Sequence, residues 1–138
     1  MRLGAWHRWV LLATLALVAV SGLLWFVLHD IMGHDPGDLL RVLLVLHGVT
    51  SFGSAVAFGS LLPWHVLGGY LYRRNLISGV VVTLAMVLLI VSGLLLYYGG
   101  EETREWARVV HLAAGFGLIA VIVVHVVLGR RLRLGAGG

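Results

Sequence analysis

The sequence predicts an all-α integral membrane protein, a four-helix bundle running up-down-up-down, and three observations predict it. Hydrophobic residues make up 60% of the 138 residues and charged residues 12%, with a mean hydropathy of +1.01, far outside the range of soluble domains. The apolar residues gather into four runs, Trp9–Leu28, Leu39–Leu62, Leu76–Tyr98 and Val109–Leu128. Each reaches about 20 residues, the length that crosses a hydrocarbon core of about 30 Å. Only short polar stretches separate the runs, so residues 1–138 are expected to form a single transmembrane domain without a soluble catalytic part. Cysteine is absent, which excludes disulfides, thiolate metal sites and iron–sulfur ligation.

The first span follows Arg2 and Arg8. Its apolar residues continue past Ser21-Gly22 to Leu28 without a small-residue cleavage site, too long for a signal segment, and it is expected to be a retained helix. The second span begins after Pro36-Gly37 and meets Pro63. Proline removes one backbone hydrogen bond, which membrane helices tolerate as a kink; if the helix continues past it, it extends to residue 72. The third span copies a piece of the first. Val20-Ser21-Gly22-Leu23-Leu24 returns 71 residues later as Val91-Ser92-Gly93-Leu94-Leu95, as in a tandem repeat of a two-helix unit. Such a repeat would place the second and fourth spans in equivalent positions pointing the same way. Ser-Gly in an apolar helix is also ordinary packing chemistry.

Charge orients the spans. Arg2, Arg8, Arg73, Arg74, Arg130, Arg131 and Arg133 flank one end of them. Only Arg41, Arg104 and Arg108 lie at the other end, together with all six acids, Asp30, Asp35, Asp38, Glu101, Glu102 and Glu105. Arginine marks the cytoplasmic face, so both termini are expected inside. The pI near 10.4 comes from scattered flanking arginines and not from a basic groove. The expected partner is therefore the lipid bilayer, and nucleic acid is not expected.

Four histidines fall within or at the ends of the spans: His47, His65, His111 and His125. A polar side chain in hydrocarbon is costly and marks function by default. At about 100° per residue, the step from His47 to His65 is about five whole turns, and that from His111 to His125 falls about 40° short of four, so each pair shares a helix face. His47 lies six residues after Arg41 and His111 three after Arg108, near the acidic side. His65 lies eight before Arg73 and His125 five before Arg130, near the basic side. Matching by depth pairs His47 with His111 and His65 with His125, a ladder for two bis-histidine haems b stacked across the membrane. Bis-nitrogen ligation leaves no open position on the iron, so such a protein moves electrons and does not bind substrate at the metal. If the second span ends at Leu62, His65 falls into a loop and His7 becomes the better ligand.

Other residues admit two readings. Ser51 and Ser54 share the His47 face and Gly115 shares that of His111; small residues there let a flat macrocycle approach the backbone, and tight helix packing explains them equally. Arg41, Arg104 and Arg108 outside, and Arg73, Arg74 and Arg130 inside, are placed to pair with haem propionates, where topology alone would also put arginines. His29 and His34 read as interfacial loop residues, with contact to a quinol or an accessory metal as the alternative. Trp6, Trp9, Trp25, Tyr97, Tyr98 and Trp106 lie at span ends, as aromatic belts do.

These residues carry a resemblance. His111-x3-Gly115-x9-His125 on the last span, with His47 near the outer end of the second, resembles the dihaem membrane cytochrome b subunits of bacterial formate dehydrogenases and nickel–iron hydrogenases. Leu46-His47-Gly48, Leu61-Leu62-Pro63-x-His65 and His125-x3-Gly129-Arg130 are similar to small bacterial four-helix cytochrome b-like proteins. The resemblance spans nearly the whole chain. It implies the bacterial inner membrane, an electron-transfer subunit and not a stand-alone enzyme, and a docked redox partner or larger respiratory complex, with quinol or quinone as exchange partner. It places the outer haem on His47 and His111. The dehydrogenase-type subunits take the other inner ligand from the start of the first helix, where this chain has His7. The competing readings are a haem-free scaffold or assembly subunit, and a transporter-like proton relay. A relay usually recruits intramembrane carboxylates, and no Asp or Glu lies in any span.

Overall fold

A computed structural model describes residues 4–72 and 75–134. Helix α1 covers Ala5–Phe26 and runs on through a π turn, Val27–Ile31. Helix α2 covers Asp38–Leu61, passes through a second π turn at Leu62–Val66 and continues as α3, Leu67–Leu71. Helix α4 is Leu76–Tyr98 and α5 is Glu101–Leu134. Among the described residues there is no strand, and the four long helices have the length and composition to cross a membrane. The predicted all-α class with four membrane spans is what the chain adopts.

The chain gathers into two compact units, Met1–His65 and Val66–Gly138. The first is a hairpin of α1 against α2, the second a hairpin of α4 against α5. In the first, the turn falls at Gly33, whose left-handed φ of 66° costs glycine nothing. His34 N–H reaches back to the Leu28 carbonyl at 3.0 Å, closing the end of the π turn. In the second hairpin only Gly99-Gly100 separates the helices. Ahead of α4, Asn75 takes a left-handed φ of 51°, a conformation asparagine tolerates better than most residues.

The helices outrun their apolar stretches. The fourth was expected from residue 109 and begins at Glu101; the first was expected from residue 9 and begins at Ala5. Apolar runs measure the part that meets hydrocarbon, whereas a helix ends where its backbone breaks. Glu101 and Glu102 in the first turn of α5 favour the positive end of its dipole, so the break moves back to the glycines. The helix beyond Pro63 continues, as its extension to residue 72 required, but not in α register. A π turn takes one extra residue, so the count of whole turns from His47 to His65 is not kept.

Burial is inverted relative to a soluble bundle. Phe52 is 74% exposed and Ile77 83%, as suits side chains that face lipid. In water, apolar surface on this scale would drive association. Among the described residues the buried polar ones are all serines: Ser21, Ser54, Ser78 and Ser92. Small polar residues at helix contacts let backbones approach closely and bond across them. Three of these serines meet a histidine.

Candidate functional site

Ser21 on α1 donates its hydroxyl hydrogen to the Leu17 carbonyl at 2.7 Å. Across the hairpin, His47 on α2 brings Nδ1 to 3.0 Å from the Val18 carbonyl and 3.3 Å from Ser21 Oγ. A carbonyl only accepts, so Nδ1 carries the proton and Nε2 is the lone-pair nitrogen of the neutral ring. Gly22 makes room for that ring: a Cβ at residue 22 would stand 2.8 Å from His47 Cε1 and 2.9 Å from Nδ1. Ser-Gly here is a seat for an imidazole.

The second hairpin repeats the seat twice. On α4, Ser92 donates to the Leu88 carbonyl at 2.6 Å, and His111 Nδ1 on α5 lies 2.9 Å from Ser92 Oγ. The serine's single hydrogen is already committed, so Nδ1–H donates to the oxygen. Gly93 lies under the ring, its absent Cβ 3.6 Å from His111 Cε1. Fourteen residues earlier on α4, Ser78 donates to Asn75 Oδ1 at 2.6 Å. His125, fourteen residues later on α5, brings Nδ1 to 2.9 Å from Ser78 Oγ. Gly79 again lies beneath, 3.7 Å from His125 Cε1, and the Asn75 amide donates to the His125 carbonyl at 3.0 Å. His47 and His111 therefore share the Nδ1–H tautomer, the state in which histidines that bind metal through Nε2 are held by their surroundings; at His125 the Asn75 amide nitrogen, a donor only, also stands 3.3 Å from Nδ1.

The first hairpin has a second latch at the corresponding level. Fourteen residues before Ser21 on α1 stands His7, and thirteen after His47 on α2 stands Ser60. His7 Nε2 is 3.1 Å from Ser60 Oγ, whose hydrogen goes to the Ala57 carbonyl at 2.7 Å. The pair matches Ser78 and His125 with the residue types exchanged between the helices. A cavity of about 260 Å³ opens beside it, walled by Trp6, Val10, Gly53 and Ala57 as well.

The remaining expected residues fall as follows. His65 lies in the π turn and is exposed. Ser54 lies seven residues from His47, hence on its face at about 100° per residue. It is 4% exposed, and its Oγ has no hydrogen-bond partner among the described residues. Ser51 shares the helix and is partly buried. Gly115 points at Leu89 of α4, where a Cβ would lie 3.8 Å from Cδ2, so it serves the contact between α4 and α5. Arg41 and Arg108 are exposed in α2 and α5. Arg130 is in the last turns of α5, and Arg73 lies outside the described residues. His29, expected in a loop, lies instead in the π turn that prolongs α1, where its Nδ1 is 2.9 Å from Asp30 Oδ1 and its ring stacks on Trp25 at 4.4 Å. Reading the chain for histidines alone passed over Asn75 and Ser78. The signal available was a second Ser-Gly on the third span, fourteen residues before the first.

A buried serine oxygen without a partner and glycine-floored imidazole seats fit a flat group with polar substituents held by histidine. Among the described residues no three histidine, cysteine or carboxylate side chains converge, so a three-ligand metal site of the zinc type is not formed there. Fold and site define a multi-pass membrane protein whose hairpins each hold imidazoles against serines of the facing helix. The chain matches no family model, no curated protein and no solved structure.

Proposed function

We propose that this protein is a membrane cytochrome b that carries two bis-histidine haems and passes electrons between a quinol or quinone and a docked redox partner. The observation that carries the reading is the threefold seat, in which His47, His111 and His125 each turn Nδ1 to a seat across the hairpin, with Nε2 the basic nitrogen in His47 and His111. A bis-histidine haem supplies one-electron chemistry with no open site on the iron. Matched by level within each hairpin, His47 and His111 hold the outer haem and His125 one side of the inner. The His7–Ser60 latch supports His7 over His65 as the fourth ligand, because His7 stands fourteen residues from Ser21 along its own hairpin, as Ser78 stands fourteen from Ser92 along the other. Ser54 offers its oxygen to a substituent of the outer group. Arg41 and Arg108 outside, and Arg73 and Arg130 inside, are the candidates for propionate pairing.

Purified from haem-sufficient membranes, the protein is expected to show a low-spin b-type difference spectrum and two haems per chain in a pyridine haemochrome assay. Protein that carries no haem would remove this reading and leave a haem-free scaffold. Both termini face the cytoplasm of a bacterial inner membrane in this reading, from the arginine distribution. With an impermeant thiol reagent on intact cells, Gly37→Cys is expected to label and Gly4→Cys to stay protected; the reverse pattern inverts the topology.

A further inference from the structure

The seats differ in what accepts the imidazole proton, and the difference has a functional consequence. His111 Nδ1–H has the Ser92 oxygen at 2.9 Å, and His125 Nδ1 lies 2.9 Å from that of Ser78 and 3.3 Å from the Asn75 amide nitrogen. Ser78 is itself held by Asn75 Oδ1 at 2.6 Å, which makes a relay of Asn75, Ser78 and His125. His47 has a backbone carbonyl, Val18, at 3.0 Å, nearer than Ser21 Oγ at 3.3 Å. A side-chain acceptor is removed by one substitution; a backbone acceptor is not.

On the reading proposed above, we infer that Ser92 and Ser78 are positioning residues that set the donor strength of His111 and His125, whereas Ser21 is dispensable for that role because the Val18 carbonyl holds His47. A hydrogen bond from Nδ1–H to an oxygen acceptor leaves more electron density on the ring and makes Nε2 a stronger ligand, which favours ferric over ferrous iron. Without the serine oxygen the ring loses that acceptor and becomes a weaker donor, and the ferrous state gains. Asn75 acts by fixing the direction of the Ser78 hydroxyl and by its own amide, which donates to the His125 carbonyl at 3.0 Å. The three serines look alike in sequence, each followed by glycine, so a role in helix packing alone would make their alanine variants behave alike.

The test is a redox titration of the full chain in lipid nanodiscs, with both haems followed by absorbance and by the low-spin ferric EPR signals. Ser92→Ala is expected to move one haem upward by about a tenfold change in its ferric-to-ferrous preference, about 59 mV for one electron, with the other haem unmoved. Ser92→Thr restores the wild-type potential. Ser78→Ala moves the other haem in the same direction and Asn75→Ala moves it less. Ser21→Ala leaves both potentials and both EPR signals in place. If Ser92→Ala instead loses its haem and Ser92→Thr recovers it, the assignment stands equally. Unmoved potentials in both Ser92→Ala and Ser78→Ala at full haem content would overturn it, as would a shift in Ser21→Ala as large as that in Ser92→Ala. Wild-type protein without haem fails the proposed function itself, a result seen before any variant is made.

Discussion

His7→Ala is expected to lower the haem content of the purified protein from two per chain to one, while His65→Ala retains both. Reading depth from arginines argues the other way, since Arg8 lies next to His7 and would hold it among headgroups. The hairpins give a better ruler. Fourteen residues separate Ser21 from His7 on α1, and the same number separate Ser92 from Ser78 on α4. At about 1.5 Å per residue both second latches lie about 21 Å from the first, and Arg8 can extend its guanidinium to the interface on its apolar stem. His65 lies eighteen residues from His47, about 27 Å in α geometry, against about 21 Å for the fourteen residues from His111 to His125. The π turn at Leu62–Val66 also turns it away from the His47 face. One adjustment is needed at His7, which now meets Ser60 through Nε2. A half-turn about Cβ–Cγ alone would put Cε1 on the serine, so presenting Nε2 to iron requires His7 to change rotamer about Cα–Cβ as well and leave Ser60. The haemochrome assay on both variants decides; loss of a haem from the His65 variant alone would return the ligand to the second span.

Gly22→Ala is expected to weaken one haem about 10- to 100-fold in affinity, the range for disturbing a residue behind a metal ligand. A Cβ there would meet His47 Cε1 at 2.8 Å and Nδ1 at 2.9 Å, closer than side-chain atoms approach. The neighbouring helix backbone cannot yield cheaply, since overpacking a tight contact costs about 1–3 kcal/mol. The ring therefore leaves the Val18 carbonyl, and with it the hydrogen bond that orients Nε2, worth about 1 kcal/mol net. Gly93→Ala and Gly79→Ala place their methyl groups 3.6 and 3.7 Å from the facing rings, at ordinary contact distance, and are expected to keep full haem affinity. Titration of haem into apo-protein of the three variants checks the order. Equal weakening in all three would show that the glycines serve only general packing.

Several features were legible in the chain because each depends on composition or local order. Four runs of about 20 apolar residues are long enough for four spans of a bilayer. The duplicated Val-Ser-Gly-Leu-Leu segment was visible too. Its meaning was not, since Ser-Gly serves close helix packing and ligand support alike until the opposite helix is known. His47, His111 and His125 stood out through the cost of a polar ring in hydrocarbon. His7 did not, because an interfacial histidine carries no such cost.

The amino-acid order by itself determined the helical class, the number of spans and the three seated histidines, because these follow from hydropathy and from periodicity along one chain. Tertiary structure alone decided which residue answers each histidine. The loop between the first pair of helices is longer than Gly99-Gly100 between the second pair, so Ser21 stands 26 residues from His47 and Ser92 only 19 from His111. No fixed spacing reveals the partnership. It exists only when two antiparallel helices close to within hydrogen-bond distance, and a glycine beside the serine is what allows the closest of these approaches.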